Sequence, residues 1–271
     1  MKKNTETDDV TLIGTNIDPV NFIEYKCVIN WYWTPNKSVN RIIENYCFNT
    51  YKYDNRILEI GPGIKKFSLA TDFIGKNEDI TNYTDIDIDK ERFPFEDQTF
   101  NFVYCRHVLE DIQNPDFAFN EILRVSKSGG YIETPSPIVE ITKNVDAGEI
   151  STIYCGYSHH RYIVWSNMEK NEIYFLPKYS CILDNIFDLD TNSKNKLYYI
   201  INNYPVYWNN YFIYNMKNKP IIIMYKNGIN FNTKRDETFI NEYIFLVNRA
   251  INESIQNTNY FINNYKNFID K

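Results

Sequence analysis

The sequence lacks any apolar run long enough to span a bilayer; Pro220 to Tyr225 is only strand-sized. Its polar beginning, Met-Lys-Lys-Asn-Thr-Glu-Thr-Asp-Asp, is followed by no apolar h-region, so no secretory signal is expected and a cytoplasmic protein is. Cysteine is sparse: Cys27, Cys47, Cys105, Cys155 and Cys181 are odd in number, widely spaced and free of any C-x-x-C pair. That excludes a disulfide framework and a cysteine-based zinc site, and leaves buried, reduced thiols as the expectation. Positive charge is in deficit, with Lys+Arg 29 against Asp+Glu 35 and a net charge of -6. A protein built mainly to hold phosphate backbones is thereby disfavoured, and nucleic acid is not expected as substrate. No internal repeat is present.

What the sequence has is length and aromatic mass. A chain of 271 residues can bury one substantial core with an elaboration. Aromatics make up 17%, and the abundance of Tyr, Ile, Asn and Lys reads as the signature of an AT-rich gene more than of a function.

Residues 56 to 63, Arg-Ile-Leu-Glu-Ile-Gly-Pro-Gly, form an apolar run that carries one acid and ends in two glycines around a proline. A buried parallel strand that turns sharply and brings bare backbone near a ligand has this form. Further strands are predicted at Ala70 to Ile74, Tyr83 to Ile86, Phe100 to Cys105 and Tyr131 to Thr134. Between the last two, Asn114 as cap, Pro115 at the first helical position, Asp116, and the stripe Ala118, Ile122 and Val125 predict a helix, with Lys127 and Gly129 at its end. Alternation of this kind implies a parallel sheet. A helix is also predicted from Ser38 to Asn49, covering the sheet or the mouth of a site.

Beyond residue 138 the alternation loosens. Arg161 to Trp165 and Ile173 to Phe175 are candidate strands, and Asn209 to Met216 with Pro220 to Lys226 predict an antiparallel hairpin around Lys-Asn-Lys. A helical pattern dominates from Asp236 to Asp270, and the Asn-rich stretches near 192 to 210 and 256 to 267 are expected to be solvated.

The order of acid-rich segment, Phe93-Pro94-Phe95-Glu96-Asp97, aromatic strand, His107-Val108-Leu109-Glu110, helix, Gly129-Gly130 and strand closely resembles the class I S-adenosylmethionine-dependent methyltransferases, in the small-molecule, type 11-like branch. The resemblance covers roughly residues 55 to 137. It implies an α/β fold: a Rossmann-like, mostly parallel sheet with flanking helices, an antiparallel C-terminal hairpin and inserted cap elements. It divides the chain into a leader with a covering helix at 1 to 53 and a methyltransferase domain at 54 to 271, with an insertion at about 138 to 205. S-adenosyl-L-methionine is the implied cofactor and a small molecule methylated on O or N, by the same resemblance a sugar or nucleotide-sugar, the implied partner.

By the same resemblance, Glu59 helps to position the methionine ammonium, and Gly61 and Gly63 let the backbone approach the cofactor. The ribose acid is either Asp72 or absent. The adenine acid is Asp87 or Asp89, with Asp87 preferred and Ile88 as apolar neighbour of the ring. Cys105 and Arg106 follow at the carboxyl edge of the sheet, and His107 is either a base, since imidazole titrates near neutrality, or a packing residue. Asp111 stands where the family often has histidine. Glu133, Ser136, Tyr157, His159 and His160 are candidates for the acceptor pocket, with His160 as a second possible base and the 156 to 162 loop otherwise structural. The His-His pair invites a metal, but with no carboxylate at i, i+4 spacing none is expected.

The departures are as specific as the matches. The third glycine of the usual loop is missing, with Lys65 near its place, and Ile64 to Leu69 leaves room for only a turn or two before the second strand. A nicotinamide-dependent oxidoreductase would need a full Gly-x-Gly-x-x-Gly turn into a long helix, which is lacking. A catalytically silent methyltransferase-like binding module is the remaining alternative.

Overall fold

The computed structural model describes residues 22–23, 37–51, 56–63, 66–75, 83–142, 145, 155–186, 201, 203–225 and 237–268. The leader, Cys27, Ile64, Lys65 and residues 76–82 lie outside them. In chain order the elements are α1 (Lys37–Thr50), β1 (Ile57–Ile60), β2 (Asp72–Gly75), β3 (Tyr83–Asp85), β4 (Phe100–Arg106), α2 (Pro115–Val125), β5 (Ser126–Pro135) and α3 (Pro137–Ile141). They continue with β6 (Tyr162–Asn167), β7 (Glu172–Pro177), α4 (Ser180–Ile186), β8 (Asn209–Asn215), β9 (Ile221–Met224) and the long α5 (Glu237–Tyr265).

The fold is Rossmann-like: a six-stranded sheet in the order β3-β2-β1-β4-β5-β8, parallel except for β8. β1 is buried at every position, as a strand covered on both faces must be. Registers Ile60↔Ile74, Gly75↔Asp85 and Ile60↔Cys105 bring the ends of the first four strands to one edge. Among the described residues no helix stands between β1 and β2, in keeping with the short interval.

Gly129 and Gly130 belong to a strand, not to the end of the preceding helix. β8 crosses so close that a Cβ on Gly130 would lie 2.3 Å from the Tyr214 hydroxyl, and one on Gly129 2.4 Å from the Tyr214 carbonyl oxygen. Helix α2 therefore ends at Val125 and β5 starts at once with Ser126, whose hydroxyl bonds to that of Tyr214 at 2.9 Å. The other end also differs from expectation. Asn114 makes no side-chain cap; its amide donates to the Asp89 carbonyl, while the Asp89 carboxylate accepts the Asn114 N–H at 2.8 Å.

The Phe-Pro-Phe turn is held by one cation. Arg124 donates to the carbonyls of Phe93 and Phe95 and to the carboxylates of Asp97 and Glu121, and Glu121 accepts the Phe93 N–H.

The antiparallel element of the sheet is β8 alone. The expected hairpin partner β9 turns away and pairs in parallel with β7, making a second sheet of order β6-β7-β9. Asn171 explains the diversion: at φ 57° in the β6–β7 turn, its amide donates to the carbonyls of Asn215 and Asn218, and its own carbonyl accepts the Ile221 N–H. The β8–β9 turn is thus fastened to the edge of β7.

Helix α5 closes the seam between the two sheets. Trp165 is fully buried, stacked on Tyr174 at 4.9 Å, with its indole N–H donating to Glu253 at 2.6 Å. Asn257 is buried, donates to the Tyr211 carbonyl and the Ser166 hydroxyl, and accepts the Met168 N–H. Asn257, Thr258 and Asn210 are core residues, contrary to the solvated reading of those stretches; unpaired amides in that seam would be costly, and those of Asn257 and Asn210 are answered. Among the described residues Cys47, Cys105 and Cys155 are buried and form no disulfide. No helix among the described residues is long and apolar enough to cross a membrane.

Candidate functional site

At the end of β1 the chain turns at Gly61, whose φ is 63°. Its N–H bonds back to the Ile74 carbonyl at 2.8 Å, and a Cβ there would lie 2.4 Å from Val108 Cγ2. The glycine is thus demanded by packing against the loop after β4 as well as by the turn. Gly75, at φ 132°, lies against it: a Cβ on Gly75 would come within 3.2 Å of the Gly61 Cα. Gly75 was not a sequence candidate, although its place at the end of β2 beside an expected site was the signal. Gly63 is half-buried just beyond the bend.

Glu59 is buried on β1 and accepts the Phe67 N–H at 2.9 Å. Burial raises its pKa to about 7, against the lowering effect of that hydrogen bond, Arg106 and Lys66. Phe67 itself stacks on Tyr104, ring centroids 4.2 Å apart.

Asp72 does not join this group. It opens β2 at the amino edge of the sheet, in register with Leu58, where Arg56 donates two hydrogen bonds to it and Thr71 a third. A ribose acid at the opposite edge is beyond its reach, because a parallel strand separates its two ends by its whole length. Asp87 is on the correct side, two residues past β3. Strands spaced about 4.8 Å apart put the end of β3 about 10 Å from the Gly61 bend, two strands away. Its carboxylate accepts the Asp89 N–H and pairs with Lys90 at 2.8 Å. Asp89 is engaged with Asn114, and Ile88 packs against the core. Cys105 is wholly buried within the sheet, burial pushing its thiol pKa well up, so it serves packing.

After β4, His107 sits in the left-handed region at φ 51°. Its Nδ1 lies 3.2 Å from Glu110 Oε1 and its Nε2 3.5 Å from Glu133 Oε1. Burial alone would lower its pKa, but the two carboxylates prevail and lift it to about 9. His107 therefore holds a proton at neutral pH, which corrects the expectation that it titrates there. Glu133, below its ordinary pKa because His107 outweighs burial, is also bonded by the Tyr131 hydroxyl and the Asn209 amide. Arg106 faces Glu133 in register.

Ser136 is not a pocket residue. It is buried at the start of α3, its hydroxyl donating to the Tyr207 carbonyl at 2.6 Å.

The 156 to 162 loop returns to the same corner. The N–H groups of Arg161 and Tyr162 donate to the Glu110 carbonyl, and Arg161 Nε to that of Asp111. His160 is buried, with Nδ1 2.6 Å from Glu140 Oε1, and Lys178 Nζ lies 2.6 Å from Glu140 Oε2. Burial would raise the Glu140 pKa, but Lys178 and His160 hold it at about 2. The pKa of His160 is raised, Glu140 prevailing over burial. Tyr157 lies along the ring of His160 at 4.7 Å, and His159 is edge-on at 4.5 Å. Asp111 Oδ1 lies 3.7 Å from His160 Nε2 and 3.9 Å from His159 Nε2. Burial, then the neighbouring Glu110, raises the Asp111 pKa to about 7.

All three histidines of the chain thus meet Glu110, Asp111, Glu133 and Glu140 beside the carboxyl edge. Sequence reading missed Glu140 and Lys178. An acid inside the apolar run Pro-Ile-Val-Glu-Ile was the available sign, since such a group must find a cation when buried.

Residues 60–133 match the family model described as a methyltransferase domain. This segment is similar to methyltransferase domains. Residues 1–59 and 134–271 lie outside the match. Among solved structures, similarity is found to an S-adenosylmethionine-dependent methyltransferase from Mesorhizobium loti, at 20% identity over 33% of this chain and 50% of that one, TM-score 0.27. It is also found to a possible histamine N-methyltransferase from Thermotoga maritima, at 18% identity over 36% and 50%, TM-score 0.28. The cyclase SpnF matches at 19% identity over 42% and 48%, TM-score 0.29. The chain spans about half the length of these structures, and likenesses at these scores carry no argument about activity. No curated protein matches the chain.

Proposed function

We propose that the protein transfers a methyl group from S-adenosylmethionine to an oxygen or nitrogen of a small molecule, such as a sugar or nucleotide-sugar, in the cytoplasm. The observation that carries this reading is that the methyltransferase segment, 60–133, is the one that runs through the Gly61 bend, the Asp87 turn and the Arg106–His107 edge. Bare backbone at Gly61 and Gly75, with an acid beneath it and another about 10 Å away, fits a nucleoside bearing an amino acid.

The cofactor supplies an electrophilic methyl; the protein must align donor and acceptor and exclude water. Glu59, when ionised, attracts the donor's ammonium, Gly61 and Gly63 admit its backbone-facing end, and Asp87 accepts from the adenine amino group beside Ile88. His107, protonated at neutral pH and held between Glu110 and Glu133, sets the charge beside the acceptor and becomes a base only above about pH 9. Arg106, Glu133, Tyr157 and His159 lie along the acceptor side.

Two observations favour the silent binding module as a second reading: Glu59 already accepts the Phe67 N–H, and Asp72 is held by Arg56 at the other edge. Calorimetric titration with S-adenosylmethionine and S-adenosylhomocysteine, followed by a donor-consumption assay over small hydroxyl and amine acceptors, separates them. Absence of heat with either ligand removes the methyltransferase reading. Binding without turnover on any acceptor selects the silent module.

A further inference from the structure

We propose that Asp111, His159 and His160 form a binding site for a divalent transition-metal ion of the zinc class. The three donor atoms lie within 4.8 Å of one another. Ligands at about 2.0–2.1 Å from a tetrahedral ion stand about 3.3 Å apart, so the separations of 3.7 Å and 3.9 Å from Asp111 Oδ1 to the two Nε2 atoms need only a small contraction. His159 is the exposed member of the three.

Two independent features point to a cation. Asp111 Oδ1 is buried yet accepts no hydrogen bond among the described residues, and it is the oxygen that faces both imidazoles. A buried carboxylate oxygen in that state is costly unless a cation answers it. Secondly, His160 is pre-oriented in the way metal-binding imidazoles are: its Nδ1 is 2.6 Å from Glu140 Oε1, and Glu140 is fixed on its other oxygen by Lys178. With the proton on Nδ1, Nε2 carries its lone pair toward Asp111, and a carboxylate partner raises ligand basicity.

No local spacing links a carboxylate to the His-His pair, because Asp111 stands about 50 residues upstream. It is delivered by the backbone bonds from Arg161 and Tyr162 to Glu110. Three protein donors leave a coordination position open, the pattern of sites that bind water or a substrate atom. The ion would also tie the loop after β4 to the lead-in of β6. The site does not depend on the methyltransferase reading.

The full-length chain, stripped with chelator, should be titrated calorimetrically with Zn2+ and followed spectroscopically with Co2+. One ion per chain is expected, with visible cobalt bands lacking thiolate charge transfer. Asp111→Asn and His159→Ala should each weaken binding at least tenfold while leaving the circular dichroism spectrum unchanged. His159→Ala, altering an exposed side chain, decides the matter should Asp111→Asn disturb folding. No uptake of either ion, or unchanged affinity in His159→Ala, would overturn the site. The cluster would then be an ion-pair network centred on a protonated His160.

Discussion

His107 combines a left-handed backbone with two carboxylate partners, and both features set how it behaves. Its folded pKa of about 9 lies above the unfolded value near 6.5, so its contribution to stability is complete below about pH 6.5 and is lost as pH rises through about 9. Urea unfolding of wild type and His107→Gln between pH 6 and 9.5 should show a gap of order 2–3 kcal/mol that closes toward alkaline pH; a constant gap would remove the assigned proton. Glu59 behaves in the opposite sense for ligand. With a pKa near 7 it is largely neutral in mild acid, so affinity for S-adenosylmethionine should rise from pH 6 to 7.5, and Glu59→Gln should flatten that rise in a calorimetric pH series. Gly61→Ala should destabilise by about 1–3 kcal/mol through its positive φ and its collision with Val108. Adding Val108→Ala should recover the part due to collision, measured as a coupling in a double-mutant cycle.

At the level of elements, the Phe-Pro-Phe block is explained by α2. One guanidinium reaches four acceptors on the turn and the helix, a geometry that a lysine ammonium at the end of a flexible stem does not reproduce. Arg124→Lys should cost about 1–3 kcal/mol in denaturant unfolding and increase hydrogen exchange at residues 93 to 97. Asn171 has the same standing for the second sheet. Its side chain bonds to two carbonyls of the β8–β9 turn, so Asn171→Gly, which keeps the backbone conformation, should still loosen β9 in exchange measurements. Strands and helices were legible from sequence to within a few residues because apolar periodicity is a local property. Which strand β9 would choose was not, since two edges compete for it and an asparagine in a different turn settles the choice.

For the whole molecule, a ligand bound only by the folded chain stabilises it by mass action, about 2.7 kcal/mol at a hundredfold excess over Kd. S-adenosylhomocysteine at that excess should raise the thermal midpoint measurably, and nicotinamide dinucleotides should leave it unchanged. The resemblance to methyltransferases and the parallel alternation of the central strands were readable from residues 55 to 137 alone, because the glycine bend, the turn and the helix signals each act over a few residues. Asp72 shows where local reading fails: its residue type is right for a ribose acid, but register puts it at the amino edge with Arg56. Asn257 was read as solvated from its polar neighbours, yet the seam between two sheets buries and satisfies it. By itself, then, the sequence determined the parallel sheet and its glycine bend, both consequences of local pattern. Only the tertiary structure decided that Glu133 and Glu110 would keep His107 protonated and that Asp111 would meet His159 and His160. Charge and coordination depend on distances between residues far apart in the chain, and packing alone sets those.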